Sequence, residues 1–527
     1  MTQQHKINQA IAKHAIMHAD KIALRGMDCS LTYAELQTAI QLQSQAWHDF
    51  TQEKSTIAPP TIALAVENHP AWVVLDLAAL ESNLPLIPLP FFFSSEQWLH
   101  AMQDAGANIV VTDQPALFEP LLIDKIVRKT QWIIAGKTLT QFELQPSPKV
   151  ALPLNTAKIT YTSGTTGNPK GVCLSPDNMM NVATSIADAT KVTPDDIHLN
   201  VLPLATLLEN IAGIYAPLFA GATCVLLPSS EIGLSGASGL NIQKLLAALK
   251  HSLATTAIFT PELLNALVCQ IELNQLELVQ VELSKLKLNK AEADATLPSS
   301  LRFLAVGGAS VSPNLLKRAQ ALSVPVYEGY GLSECASVVA LNTPAFNKIG
   351  SVGKVLPHLK VEFTNDHEII VTGNAYLGYV GQTAVQSNSI HTGDIGHIDE
   401  DGYLNITGRK KNIFITSFGR NISPEWVERE LTISPYIAQA ALFGEAKPWN
   451  TAIIVARKGS ATAEIENAIQ HINQGLPDYA RITQWISADA PFTLANQQLT
   501  SNGRNRRDMI WQHYEQKINA LYERQYA

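Results

Sequence analysis

The chain has 527 residues, 46% of them hydrophobic and only 16% charged, which excludes a disordered segment or a long coiled coil. At about 100–200 residues per domain, that length accommodates about three or four structural units. A formal net charge of -8 with no dense basic tract excludes recognition of nucleic acid through backbone phosphates, and Arg504, Arg506 and Arg507 are too few to change this.

The N-terminal stretch MTQQHKINQAIAKHAIMHADK contains no apolar core of about 7–15 residues, so no signal peptide is expected. No window offers about 18 uncharged apolar residues; even AWVVLDLAAL contains Asp76. Five cysteines (Cys29, Cys173, Cys224, Cys269 and Cys335) are scattered without CxxC spacing. They point to a reducing compartment and away from a disulfide framework or a zinc site. The expected location is cytoplasmic.

TIALAV (61–66) reads as a strand, and HPAWVVLDLAAL (69–80) has helical length and spacing. NIVVTD (108–113), ATCVLL (222–227), TAIFT (256–260) and LRFLAVGG (301–308) are again strand-like, with helices between them. Strands alternating with helices predict α/β layers with mainly parallel sheets. The pattern changes after about residue 345. KVEFTNDHEIIVTG predicts a hairpin around Asn365-Asp366, and GHIDEDGYLNITG another around Asp401-Gly402. The basic run Gly408-Arg409-Lys410-Lys411-Asn412 marks a boundary between a large N-terminal domain (1–408), a hinge (409–411) and a small C-terminal α/β domain (412–527). In the last, IFITS and AIIVAR are strand-like, and SPEWVERELTI is a helix with Ser423 at its cap and Pro424 in its first turn.

ITYTSGTTGNPKGV (159–172) carries the densest chemistry: hydroxyls at Thr160, Thr162, Ser163, Thr165 and Thr166, glycines at Gly164, Gly167 and Gly171, and Lys170. Glycines admit backbone amides close to a phosphate, hydroxyls donate to it, and lysine adds charge. It is not a Walker A loop, because Pro169 and Gly171 stand where that motif needs Gly and Ser/Thr. Ser163 lies outside any G-x-S-x-G elbow. The run Asp399-Glu400-Asp401-Gly402 lacks the later ligands of a calcium loop, and His391 and His397 have no metal-ligand spacing.

YTSGTTGNPKGV resembles the phosphate-loop signature of the adenylate-forming superfamily, in its acyl-CoA synthetase or fatty-acid ligase branch. Further segments resemble that family in its own order, from about residue 20 to 510. They are LTYAEL (31–36), LPLATLLEN (202–210), VGGAS (306–310), YEGYGLSE (327–334), HTGDIGHIDEDGYLNITGRKK (391–411) and LTSNGRNRR (499–507). The resemblance implies a large multi-layer α/β domain, a mobile small domain, and ATP, magnesium and coenzyme A as ligands. It places Thr162, Ser163, Gly164, Thr165, Thr166, Gly167 and Lys170 on the phosphates, and Glu334 on magnesium. It sets Tyr330 against adenine, with Gly308, Glu328, Gly329 and Ser333 in neighbouring nucleotide segments. Asp394 would accept from the ribose hydroxyls, Arg409 would help bind ribose and phosphate, and Lys411 would be the pivot. Leu204, Thr206, Glu209, Gly307 and Gly331 would line the carboxylate pocket.

Two positions depart from the family pattern. Arg504 follows Gly503 where the adenylating lysine belongs, which leaves open whether Arg504 replaces it, whether Arg506 or Arg507 does, or whether the chain is a weakened ATP-binding homologue. Thr206 stands where long-chain relatives often carry histidine. The pocket segment LATLLENIAGIYAPLFAG has Glu209 but no aspartate and is otherwise apolar, which favours a fatty or other apolar acid over an amino acid. Coenzyme A is the expected thiol, with a separate acyl carrier protein as the alternative.

Overall fold

Two large mixed sheets carry most of the chain up to about residue 380. The structure, a computed structural model, describes residues 5–53, 60–145, 150–162, 169–235, 239–284, 297–382, 387–500 and 503–523. In the nine-stranded sheet, the parallel centre runs Val326–Leu332, Phe303–Val306, Thr256–Phe259, Ile197–Asn200, Thr223–Leu226, Ile22–Arg25. Antiparallel strands flank it, Ser337–Leu341 and then Lys354–Val355 on one side and Ser30–Thr32 on the other.

The eight-stranded sheet has the parallel centre Lys158–Thr162, Leu86–Pro88, Thr61–Ala65, Ala107–Thr112, flanked antiparallel by Lys170–Leu174 and Lys137–Leu144. The expected strands over TIALAV, NIVVTD, ATCVLL, TAIFT and LRFLAVGG are all present; that over NIVVTD starts one residue earlier, at Ala107, and ends at Thr112, and the others are trimmed by one to four residues in all. A continuous apolar run suits a strand covered on both faces, and all of Thr61–Ala65 is buried. The helix Pro70–Glu81 is apolar on nearly every side, Asp76 being the buried exception, and is buried along all but its last residue, as a helix between layers must be. The hairpin Ile126–Ile134 with Lys137–Leu144 has no counterpart in the sequence reading. Its turn passes through Ala135 and Gly136, both at positive φ, the geometry that joins two-residue hairpins.

After residue 345 the chain turns antiparallel. Lys360–Phe363, Glu368–Thr372, Ser389–Ile398 and Leu404–Arg409 form a four-stranded sheet containing both expected hairpins. A smaller C-terminal domain follows, around the three-stranded sheet Ile437–Phe443, Asn450–Ala456, Ile482–Ser487. Side chains alternate along these strands. Ala440, Leu442, Ala452 and Ile454 pack on the helices Pro424–Thr432 and Thr462–Gly475. Ala441, Phe443, Ile453 and Val455 pack on Arg507–Glu523. IFITS contributes only the two-residue strand Phe414–Ile415. Ser423 occupies the cap position of its helix, yet its hydroxyl donates to Glu425 rather than accepting from the helix amides.

Candidate functional site

The carboxyl ends of the parallel strands in the nine-stranded sheet open into a cleft between the two domains, where open α/β sheets place their ligands. Phe303–Val306 delivers Gly307 and Gly308, Val326–Leu332 delivers Glu328, Gly329, Tyr330 and Gly331, and the one-turn helix Ser333–Cys335 delivers Glu334. All of these residues, with Ser333, line the cleft. Gly331 admits no side chain, because a Cβ there would stand 1.9 Å from the Ser337 carbonyl oxygen. Gly308 has φ +85 and open space where a Cβ would point, so its backbone is bare towards the cleft.

One carboxylate organises the floor. Asp394 is 4% exposed; its Oδ2 accepts from the Tyr330 hydroxyl at 2.6 Å and its Oδ1 from Arg409 Nε at 2.7 Å. Asp394 and Arg409 are direct partners across the antiparallel pair of strands that holds them. Burial, then the charge of Asp394, pushes the Tyr330 phenol well above its ordinary pKa, so it remains a donor.

From the C-terminal domain, Arg504 Nη2 donates to the Gly308 carbonyl at 3.0 Å. Protein walls in this side chain, yet its guanidinium surface stays open to the cleft. Burial first and Arg409 second push its pKa down, opposed by Asp394. Lys411 is lowered in the same way, by partial burial, then by Arg409, with Arg504 adding to it. Arg409, Lys411 and Arg504 thus lie close enough to perturb one another at the cleft, where Asp394, Asp508 and Glu425 oppose them; three cations gathered there can meet an anionic ligand.

The arginines of the C-terminal motif separate. Arg507 is held bidentate by Glu428, with Nη1 and Nη2 each donating at 2.6 Å, and it also donates to the Leu442 carbonyl. Its charge is already matched inside the small domain. Arg506 lines the cleft, and its backbone amide donates to Gln498. Arg504 alone of the three reaches across to the large domain through a described hydrogen bond.

The phosphate-loop positions Ser163, Gly164, Thr165, Thr166 and Gly167 lie outside the described residues, as does the Thr162 side chain. The flanks are well defined. Thr162 and Lys170 are backbone partners where the two strands meet the loop. The helix Ser95–Asp104 holds both flanks: Tyr161 donates to Asp104 at 2.7 Å, and His100 Nε2 lies 2.9 Å from the Pro169 carbonyl. Lys170 is exposed and sits over the Tyr379 ring, 5.3 Å from its centroid.

Leu204, Thr206, Gly307 and Gly331 line the cleft, beside Leu202, Leu207 and Leu208. The Thr206 hydroxyl donates to the Pro203 carbonyl at 2.7 Å. Glu209 does not join them, contrary to the sequence expectation. It is 0% exposed and turns beneath the pocket segment, where Asn200 Nδ2 donates at 2.8 Å, the Leu202 amide at 3.4 Å, and His198 Nε2 lies at 3.3 Å. Glu209 stands three positions after Thr206, a spacing that would put both near one helix face, so the pull of His198 and Asn200 on its carboxylate, not helical phase, is what turns it away from the cleft. Sequence reasoning also missed the neighbourhood of Glu328. Burial pushes this carboxyl up to about 7, while Arg429 of the small domain and the Val311 amide oppose the shift.

Among the described residues, no cluster of three or more metal-ligating side chains is present, and no helix is long and apolar enough to cross a membrane.

The chain is 26% identical to the long-chain-fatty-acid–CoA ligase FadD15 of Mycobacterium bovis, over 86% of each protein. It is 25% identical to the 2-succinylbenzoate–CoA ligase of Bacillus subtilis, over 83% of this chain and 85% of that one. Among solved structures, o-succinylbenzoate CoA synthetase from Bacillus subtilis with its acyl-adenylate has the same fold, with a TM-score of 0.71 at 22% identity over 97% of this chain and 98% of that one. That enzyme has also been solved with ATP and a magnesium ion, at a TM-score of 0.70 and 22% identity over 95% and 98% of the two chains. The model of the family described as AMP-binding enzyme matches residues 11–384, and that of its C-terminal domain matches 411–526; the chain belongs to this family, the adenylate-forming superfamily.

Proposed function

We propose that the cleft activates an apolar, fatty carboxylic acid with ATP and passes the acyl group to coenzyme A. The chain is an AMP-forming acid–thiol ligase, an enzyme that uses ATP, magnesium, a carboxylic acid and coenzyme A. In the first step a carboxylate oxygen bonds to the α-phosphorus and the bond to pyrophosphate breaks. In the second, a thiol sulfur attacks the acyl carbon and AMP leaves. Both partners of the first step are anionic, so the protein's contribution is positioning and charge.

The observation that carries this reading is the convergence of Arg409, Lys411 and Arg504 on Asp394, Tyr330 and the bare Gly308 backbone. Asp394 has the geometry to accept from ribose hydroxyls, Tyr330 to flank the base, and Arg504 to meet charge developing between carboxylate and α-phosphate. Glu334, a hard oxygen ligand facing the cleft near Lys170, fits magnesium. The ion, when bound, offsets the charge of the triphosphate. Residues 409–411 serve as the hinge on which the small domain turns between the two steps.

The preference for an apolar acid rests on Leu202, Leu204, Leu207 and Leu208, together with the turning away of Glu209. The five cysteines are free, which supports a reducing, cytoplasmic setting. Pyrophosphate release with ATP and magnesium, across fatty acids of graded length, 2-succinylbenzoate and an amino-acid set, tests the reading. Running the panel with coenzyme A and with an acyl carrier protein assigns the acceptor. Turnover confined to amino acids would sink the apolar assignment, and no turnover of any acid would leave the weakened-homologue alternative in its place.

A further inference from the structure

We infer that Tyr379 holds the two opposite charges of the phosphate and metal site apart, and so keeps that site open for ATP. Its hydroxyl donates to Glu334 Oε1 at 2.9 Å, while its ring carries the Lys170 ammonium 5.3 Å from the centroid. Glu334 and Lys170 are not ion-paired with each other in the structure. Without something between them, a flexible lysine and a carboxylate sharing one cleft would attract each other, closing the place where magnesium and phosphate oxygens belong. A phenol satisfies both partners at once, because its hydroxyl donates to the anion and its face attracts the cation.

The tyrosine's seat is fixed from several sides. The short strand Gly378–Tyr379 pairs antiparallel with the return strand of the phosphate loop, Tyr379 opposite Val172. The Val380 amide donates to the Gly171 carbonyl at 2.9 Å. A Cβ on Gly171 would lie 2.7 Å from Val380 Cγ2, so this approach needs glycine there. Tyr376 packs edge-on against Tyr379, with centroids 4.9 Å apart, and its amide donates to the Glu334 carbonyl at 2.8 Å. Tyr379 is therefore a positioning residue, acting on nucleotide through Glu334 and Lys170, and this role rests on the reading of the cleft as the ATP site.

Calorimetry on the full chain tests it, with AMP as one ligand and α,β-methylene-ATP plus magnesium as the other. Tyr379→Phe removes the hydrogen bond to a charged group and should weaken the magnesium-nucleotide complex about tenfold while leaving the AMP Kd within about twofold. Tyr379→Leu also removes the ring and should weaken that complex further, about thirtyfold, again sparing AMP. Equal losses for both ligands would mean the residue only supports the fold, and would overturn the inference, as would an unchanged Tyr379→Phe. If Tyr379→Leu fails to fold, Tyr379→Phe, which keeps the packing on Tyr376, decides alone. A wild type that binds neither nucleotide would overturn the reading of the cleft itself, and this inference with it. One that binds both, with Tyr379→Phe unaffected, would overturn only the role of Tyr379.

Discussion

Replacing Arg504 and Arg507 in turn should separate a catalytic arginine from a structural one only three positions away. Arg504→Ala removes a guanidinium that reaches the Gly308 carbonyl and is otherwise open to the cleft. Little protein depends on it, so the melting temperature should move by no more than a few degrees, in line with a loss of about 1 kcal/mol or less. A hydrogen bond to a charged group contributes about 1.5–3 kcal/mol. If Arg504 makes such a contact to the transition state, acyl-adenylate formation should fall by about one to two orders of magnitude. Conversion of supplied acyl-adenylate to thioester should stay close to wild type. Arg504→Lys should keep or raise the first rate, because a compact ammonium reaches both oxygens without the planar fork. Arg507→Ala behaves oppositely: it strands the buried Glu428 carboxylate, which Arg507 holds at 2.6 Å through both oxygens. Breaking such a pair costs about 3–5 kcal/mol, so the small domain should melt far earlier. Pyrophosphate release and thermal melting on the same preparations read both effects. A silent Arg504→Ala beside a crippling but stable Arg506→Ala would refute the assignment and shift the register by two residues.

Lys411→Pro should largely spare adenylate formation while reducing thioester formation at least about tenfold, because a hinge residue absorbs a φ/ψ change that proline forbids. The neighbouring amides of Lys410 and Asn412 keep their bonds to Gly393 and Arg409, and Lys411→Ala separates lost charge from lost backbone freedom. Equal loss of both steps in the proline variant would make the residue catalytic or structural instead. Glu328 gives a pH test. Its folded pKa of about 7 lies above the ordinary 4.5, so its contribution to stability is fully present below pH 4.5 and is lost as pH rises through about 7. The change is worth up to about 3 kcal/mol. Glu328→Gln should flatten the melting-temperature profile over that window, and parallel profiles for the two proteins would sink the argument.

The proposed phosphate loop can be put forward from the sequence because its hydroxyls, glycines and lysine are nearly consecutive, although residues 163–168 lie outside the described residues. Asp394 and Arg409 are each legible through their motifs, but their pairing is a matter of strand register. The choice among Arg504, Arg506 and Arg507 is not readable locally. Glu428, which neutralises Arg507, lies 79 positions away in sequence. Glu209 misleads for a related reason: the composition of its segment is visible, whereas the side of the helix that meets His198 and Asn200 is not. The hairpin over 126–144 escapes because its solvent-facing strand, Ile126–Ile134, mixes exposed Val127 and Ile133 with Arg128 and Lys129, blurring the alternation that marks a strand. Tyr379 lies outside every segment singled out in the sequence, and only the fold brings it to Glu334 and Lys170.

The apolar pocket wall owes its fixed position to buried polar chemistry. Glu209 and Asn210 are adjacent in the segment Leu207–Tyr215, whose second half is a π-helical turn, yet they enter different networks. Glu209 joins His198 and Asn200 at the nine-stranded sheet. Asn210 and Tyr215 join Asp76, each donating to Oδ2 at 3.0 Å, and Lys158 donates to Asn210 and lies 2.8 Å from Asp76 Oδ1. Lys158 opens the strand that runs into the phosphate loop, and Asp76 sits mid-way along the buried helix Pro70–Glu81. Apolar contacts alone would allow that wall to slide by fractions of an ångström, whereas removing any partner of a buried ion pair leaves an uncompensated charge worth about 3–5 kcal/mol. The strand leading to the proposed phosphate site and the wall of the proposed acid pocket are thereby held in one fixed relation. In-line attack of a carboxylate on an α-phosphate demands that relation, since the rate depends steeply on the alignment of the two reactants.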